Sequence, residues 1–384
     1  MKIIHVEDYF DATAGYQINE LLNVSKSFES EVFLITSKCM KPFHKELNLE
    51  DDYLFEKNTG IKIIRLDHRF IISSRVFLKG LFKTINKINP DVVYFHGIGD
   101  FKDLMLLGKK KKYVVVRDCH MSWVASRNKF RKSYFKIFKL LLASRINKTD
   151  KYKKIYALGI EEKEYLGMLG IEQRKIDYLY HGYNDEVIYY DEKERKKIRS
   201  QYKIQDDEIV ISYIGKFNNF KRPDLIFDII DNLDIQHTQK KINLLFIGSK
   251  DQGYMCEFNN RMEKVKSGLN IIIDSSKPFN ELKNYFSASD ICIFPKETTL
   301  SSIHAQVCGC TVIMENHISN IERVVENENL YEIDDYKQAA KILEKVICNN
   351  EYIKERNVNI VIGVMEKREY KSQLKALYKL LEVI

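Results

Sequence analysis

Glu208-Ile209-Val210-Ile211-Ser212-Tyr213-Ile214-Gly215-Lys216-Phe217-Asn218-Asn219-Phe220-Lys221-Arg222-Pro223-Asp224 is the stretch on which the fold turns. It opens with a run of apolar and β-branched residues, the pattern of a strand covered on both faces. Gly215 breaks the run, and beyond Asp224 the spacing of Leu225, Ile226, Ile229 and Ile230 is helical. A buried strand, a glycine turn and an amphipathic helix make half of a βαβ unit, so a parallel sheet is expected.

The same alternation recurs on both sides. On the carboxyl side the strand candidates are Asn243–Ile247, Asn270–Asp274, Ile291–Pro295, Thr311–Glu315 and Leu330–Ile333. On the amino side they are Lys2–Val6, Glu31–Thr36, Ile61–Leu66, Asp91–Phe95, Tyr113–Arg117, Lys154–Leu158 and Lys175–Leu179. The highly charged segment Asp191–Lys197 interrupts this texture. The expected organisation is therefore α/β, with two doubly wound, Rossmann-like domains. Residues 1–182 form the first, 183–206 a linker, 207–365 the second, and 366–384 a closing helix. The closing helix is read from the near-helical spacing of Tyr370, Leu374, Leu377, Tyr378, Leu380 and Leu381.

Composition is that of an ordinary globular protein: 384 residues, 45% hydrophobic and 30% charged. No window approaches the ~20 apolar residues of a membrane span. The short apolar run Ile3–Val6 ends at Glu7 and Asp8, unlike a signal peptide, so a cytoplasmic protein is expected. Seven cysteines are scattered along the chain, and Cys308-Gly309-Cys310 without a second pair is a poor zinc signature. Neither disulfides nor a structural metal are expected. The net charge of +8 is mild. It is densest at Lys109–Lys112 and in Arg127–Lys154, where bases alternate with Phe130, Tyr134, Phe135, Ile137, Phe138, Leu140, Leu141 and Leu142. Two readings fit that segment: peripheral contact with an anionic membrane, at the inner face of a cell membrane, or a solvated outer helix face. No nucleic-acid module is present.

In open parallel sheets, ligands gather at the carboxyl ends of strands. After the strand Glu208–Ile214, Gly215 permits close backbone approach, while Lys216, Lys221 and Arg222 bring charge to a helix start. Cations there cost ~0.3–1 kcal/mol each unless an anion neutralises them. An anion site and a solvated basic loop explain this equally. After the strand Ile291–Pro295, a turn containing Glu297, Thr298, Thr299, Leu300, Ser301 and Ser302 opens a helix that ends near Gly309. Its amides and hydroxyls suit a diphosphate, although ordinary capping by Thr298 or Thr299 explains the turn taken alone. Gly-Lys-Ser/Thr is missing, as is a Gly-x-Gly-x-x-Gly fingerprint after the first strand, which argues against nucleoside triphosphate and dinucleotide sites.

Taken in order, these segments resemble the GT-B glycosyltransferases, specifically the large retaining family 4. Tyr180–Ile188 is similar to the segment that ends the family's first domain. Tyr213-Ile214-Gly215-Lys216 with Lys221 resembles its "G-R…K-G" phosphate motif, with Lys216 where arginine is usual. Leu244–Gly248 resembles the next strand and turn. Glu281-Leu282, Tyr285, Ala288, Asp290 and Pro295 resemble its "E-L…Y…A-D…P" run. Two glutamates eight positions apart are typical after the proline. Here the segment is shorter, and His304 stands where the second glutamate, a ribose ligand, would be.

The resemblance implies two domains facing a cleft and transfer of a sugar from a nucleoside diphosphate donor. The acceptor would be a glycan, a lipid-linked molecule or a small molecule, as in bacterial surface polysaccharide or glycolipid synthesis. Lys216 and Lys221 would stabilise the leaving diphosphate. Gly15, Gly215, Gly248, Glu297, Thr298, Thr299, Leu300, Ser301, Ser302 and His304 would line the donor. His120 would stand where the family carries an active-site histidine, and Asp118 would contact the acceptor. His96 would contact the acceptor or be structural; His5, His181 and His237 read as structural. No cofactor is implied, and metal would be dispensable. The rivals are a sugar-nucleotide epimerase of the same fold and an inactive nucleotide-sugar-binding protein.

Overall fold

Runs such as Val114–Cys119 and Ile242–Ile247 offer apolar side chains to both faces of a strand. Such strands are stable only when helices cover both sides of the sheet. The computed structural model describes residues 1–72, 74–99, 102–107, 112–121, 130–233, 240–265, 268–296, 298–348 and 365–382. Glu297, His237 and parts of the two basic stretches (109–111 and 127–129) lie outside the described residues. The chain divides into two units: Met1–His181 with Tyr370–Ile384, and Gly182–Glu369.

The first unit holds strands β1 (Lys2–Val6), β2 (Glu31–Ser37), β3 (Lys62–Leu66), β4 (His68–Ile72), β5 (Arg75–Leu78), β6 (Val92–Phe95), β7 (Val114–Cys119), β8 (Tyr152–Ala157) and β9 (Ile176–Tyr178). Seven of these form a parallel sheet in the order β3-β2-β1-β6-β7-β8-β9. Between β1 and β6 the direction of winding reverses. The antiparallel hairpin β4–β5 was not anticipated. Every residue of β4 is exposed, and His68-Arg69-Phe70-Ile71-Ile72 lacks the alternation of a half-buried strand.

The second unit holds β10 (Ile209–Ile214), β11 (Ile242–Ile247), β12 (Asn270–Asp274), β13 (Ile291–Phe294), β14 (Thr311–Glu315) and β15 (Leu330–Tyr331). They form a parallel sheet in the order β12-β11-β10-β13-β14-β15, reversing between β10 and β13. Both units are therefore doubly wound.

Residues 183–206 are no free linker. The helix Glu192–Gln201, capped by Asp191, belongs to the second unit. Arg195 donates to the Ser287 carbonyl and the Asp290 carboxylate, and buried Arg199 also reaches Asp290. Tyr183, Ile188, Ile198 and Ile204 join that unit's core. The charged surface concealed these few apolar contacts.

The last helix, Tyr370–Glu382, buries Tyr370, Leu374, Leu377, Tyr378 and Leu381. It packs beside the helix Gln17–Ser25, over Ile3 and Val92 of the first sheet. At 1% exposure Leu374 is a core residue, worth about 2–5 kcal/mol on truncation to alanine.

Candidate functional site

Each sheet places candidate functional side chains at its own winding reversal, where adjacent loops diverge and leave room for a ligand. In the first unit, His5 lies on β1, His96 follows β6, Asp118 is the penultimate residue of β7 and His120 comes two residues later. Strand order alone brings them together. His5 Nδ1 lies 3.0 Å from His96 Nε2, and His96 Nδ1 lies 2.7 Å from Asp118 Oδ2. The other carboxylate oxygen, Oδ1, accepts from the Gly97 amide at 2.5 Å and lies 3.0 Å from His120 Nε2. The rings of His5, Tyr94 and His96 stack, with Tyr94 and His96 centroids 4.3 Å apart.

Only one proton arrangement suits neutral rings in this chain. A carboxylate only accepts, so His96 donates from Nδ1 and its Nε2 accepts from His5 Nδ1–H. Burial, and secondarily His96, hold the His5 pKa well below its usual value, so this ring is neutral. Burial works against the Asp118 charge, but His120 and His96 outweigh it and hold the carboxyl well below the usual range. Burial lowers and Asp118 raises the His120 pKa; the carboxylate prevails and the net direction is up. Glu7, next along the chain from β1, is raised by burial. His120 thus has one nitrogen fixed on Asp118 while its side chain stays 38% exposed.

His96, Asp118 and His120 are the one set of metal-capable groups found among the described residues, with ligand atoms within 4.8 Å of one another. Each of those atoms already engages a neighbour in a hydrogen bond, and the set reads as a hydrogen-bonded network.

In the second unit, the loops after β10 and β13 flank the reversal. Lys221 spans them, donating from Nζ to the Thr298 carbonyl at 2.7 Å. Lys216 is exposed, and its ammonium makes no hydrogen bond or ion pair with any described residue. Thr298 Oγ1 donates to Asn320, and Thr299 Oγ1 accepts from the Ser301 amide at 3.3 Å. Ser302 Oγ donates to the Thr299 carbonyl. The amides of Thr299 and Leu300 donate to no described residue. A lysine ammonium and backbone amides with no partner among the described residues, on the two loops that flank the reversal, offer donors to an anion.

Several sequence-predicted roles shift. Arg222 needs no bound anion: its guanidinium pairs with Asp224 at 2.7 Å and Glu257 at 3.0 Å. Gly248 answers to packing, because a Cβ there would lie 1.6 Å from the Gly215 carbonyl oxygen. Gly15 lies in the loop between β1 and the helix Gln17–Ser25. His304 is not open to a ribose. It is 3% exposed, its ring lies edge-on to Phe279 and Phe286 and bonds the Gly182 backbone, and burial pushes its pKa down to about 4. The helix face that would present a glutamate presents here a neutral core ring. Sequence reasoning left His5 as structural and passed over Glu7. Their signal was position: a histidine in the first strand and one just past the fourth meet only if those strands are neighbours.

The paired doubly wound sheets define the GT-B class of glycosyltransferases. Residues 194–381 match the family described as glycosyl transferases group 1. An uncharacterised 41.2 kDa protein in the cps region of Klebsiella pneumoniae is 23% identical over 355 residues, covering 90% of this chain and 88% of that one. Among solved structures, Anabaena HepE in complex with UDP superposes with a TM-score of 0.74 at 13% identity, covering all of both chains. A glycosyltransferase from Rickettsia africae gives 0.72 at 15% identity, covering 100% of this chain and 98% of that one. No helix among the described residues is long and apolar enough to cross a membrane.

Proposed function

We propose that this glycosyltransferase takes its sugar from a nucleoside diphosphate donor, with retention of configuration, for a glycan or lipid-linked acceptor in surface polysaccharide synthesis. The carrying observation is the reversal point of the second sheet. There Lys221 ties the two loops together, while among the described residues the Lys216 ammonium and the Thr299 and Leu300 amides have no hydrogen-bond partner. A diphosphate gains charge as the glycosidic bond breaks. Fixed cations and amides therefore stabilise the transition state more than the ground state. The UDP-bound HepE structure and the capsule-region relative support this donor and this destination.

His120 is assigned to the sugar or acceptor near the anomeric carbon, held by Asp118, with His96 behind the carboxylate. No metal is assigned a role, since lysines and amides already supply the positive potential at the diphosphate. Membrane contact would bring the enzyme to a lipid-linked acceptor.

The test is a thermal-shift panel of nucleotide sugars followed by transfer assays with and without EDTA. One donor should stabilise the protein, and Lys216→Ala/Lys221→Ala should abolish the response. An undiminished response in that variant removes the diphosphate assignment. Nuclear magnetic resonance of the product's anomeric proton separates retention from inversion.

A further inference from the structure

Residues 130–148 contain six basic residues and no acidic one, against a net charge of +8 for the whole chain. They form one continuous helical run, Arg131–Phe138, a π-helical turn Lys139–Ala143, and Ser144–Lys148. Its inner face is fully committed to the first unit's core: Phe135, Phe138, Leu142, Ala143 and Ile146 are buried. Tyr134 donates to the Gly99 carbonyl at 2.6 Å and Asn147 to the Gly170 carbonyl at 2.9 Å, pinning both ends.

The outer face is what needs explaining. A solvated helix face carries charged residues, yet Ile137 is 47% exposed, Leu140 80% and Leu141 45%, with Phe130 at 78% near the start. The π turn inserts an extra residue, so Leu140 and Leu141 both turn outward while Leu142 and Ala143 turn in. Around this apolar strip lie exposed Lys132, Lys136, Lys139, Arg145 and Lys148. Apolar residues flanked by bases with no acid suit one kind of surface, hydrocarbon beneath negative headgroups. A nucleic acid would use the bases and leave the leucines unexplained.

The geometry points to this helix as a monotopic membrane contact, with Leu140 and Leu141 entering the headgroup boundary of an anionic bilayer and the bases pairing with its phosphates. The inference does not depend on the donor assignment, because adsorption needs no nucleotide sugar.

Flotation of the full chain with phosphatidylcholine vesicles, with and without phosphatidylglycerol, tests it. The chain should float with the anionic vesicles and be released by salt. Leu140→Glu/Leu141→Glu and Lys132→Glu/Lys136→Glu should each lower partitioning by about tenfold or more. All four side chains are exposed, so thermal midpoints should stay at the wild-type value. The inference is overturned by any of three results: no flotation, flotation unaffected by the leucine variant, or capture by nucleic acid while anionic vesicles are ignored. A second copy seated on the face would show instead as a dimer that Leu140→Glu dissociates, which also overturns it.

Discussion

His120 Nε2 lies 3.0 Å from Asp118 Oδ1, and this one contact sets the charge on the exposed ring. The carboxylate raises the His120 pKa although burial acts the other way. His120 therefore keeps its proton to a higher pH than a free histidine, and as an imidazolium it favours a substrate that is gaining negative charge. Transfer should fall as pH rises through the His120 pKa. In Asp118→Asn the raising influence is gone, so the fall moves to lower pH. The measurement is kcat/KM against pH for both proteins. A limb in the same place in both would show that Asp118 does not govern the titrating group. Glu7, His96 and His5 face the same cluster; Glu7→Gln serves as the control, with a smaller shift in the same direction.

The two lysines of the second sheet should separate in a single pair of measurements. Lys216 has no partner among the described residues, so Lys216→Ala should leave the thermal midpoint unchanged while weakening donor affinity by about tenfold or more, the scale of a charge-assisted contact. Lys221 also holds the Thr298 carbonyl. Lys221→Ala should weaken donor binding and cost about 1 kcal/mol of stability as well. Calorimetric titration with the best donor, beside thermal unfolding without it, checks both. A Lys216 variant that unfolds early, with donor affinity intact, would contradict the assignment.

Most strands were legible because each is an apolar run between polar segments, and a doubly wound sheet needs little more. What escaped was whatever depends on burial or strand order. The hairpin β4–β5 is exposed on its first strand, which lacks the alternation of a half-buried strand. The helix Glu192–Gln201 looked like a linker because its structural residues are arginines, whose partners are backbone carbonyls and one aspartate. Lys216 and Lys221 could be singled out from local spacing together with the family resemblance, since strand, turn and helix are contiguous in sequence. In the His5–His96–Asp118–His120 chain the His5–His96 contact joins residues 91 positions apart, and the β1–β6–β7 adjacency assembles the set.

His304 should make the second unit acid-sensitive. Its folded pKa is about 4, against 6.5 ordinarily, because burial disfavours the charged ring. Between those values the unfolded chain binds a proton that the folded one does not. Stability is thus intact above about pH 6.5 and is lost as pH falls toward 4. The full difference is on the order of 3 kcal/mol. Thermal midpoints from pH 7 to 4 should drop less steeply in His304→Gln, which cannot titrate, than in the native protein. Parallel slopes would mean that the ring is not buried neutral.

The severest effect should come from Asp290, far from any assigned chemistry. Its carboxylate, 2% exposed, lies 3.2 Å from the Arg199 guanidinium and 2.9 Å from that of Arg195. It also accepts from the Val210 amide at the start of β10. Arg199 is itself 1% exposed, and its pKa is lowered chiefly by burial, which Asp290 opposes. Asp290→Ala would leave a guanidinium desolvated without its counter-charge, a loss of about 3–5 kcal/mol. Asp290→Asn keeps the shape and an acceptor but not the charge, and should fall between alanine and native. Denaturant titration of the three proteins orders them. Because Asp290 anchors the helix Glu192–Gln201 to β10, whose far end carries Lys216, donor affinity should fall with stability in Asp290→Ala. In the folded fraction of Asp290→Asn it should recover. Asparagine as damaging as alanine would place the burden on the hydrogen bond to Val210 rather than on the buried charges.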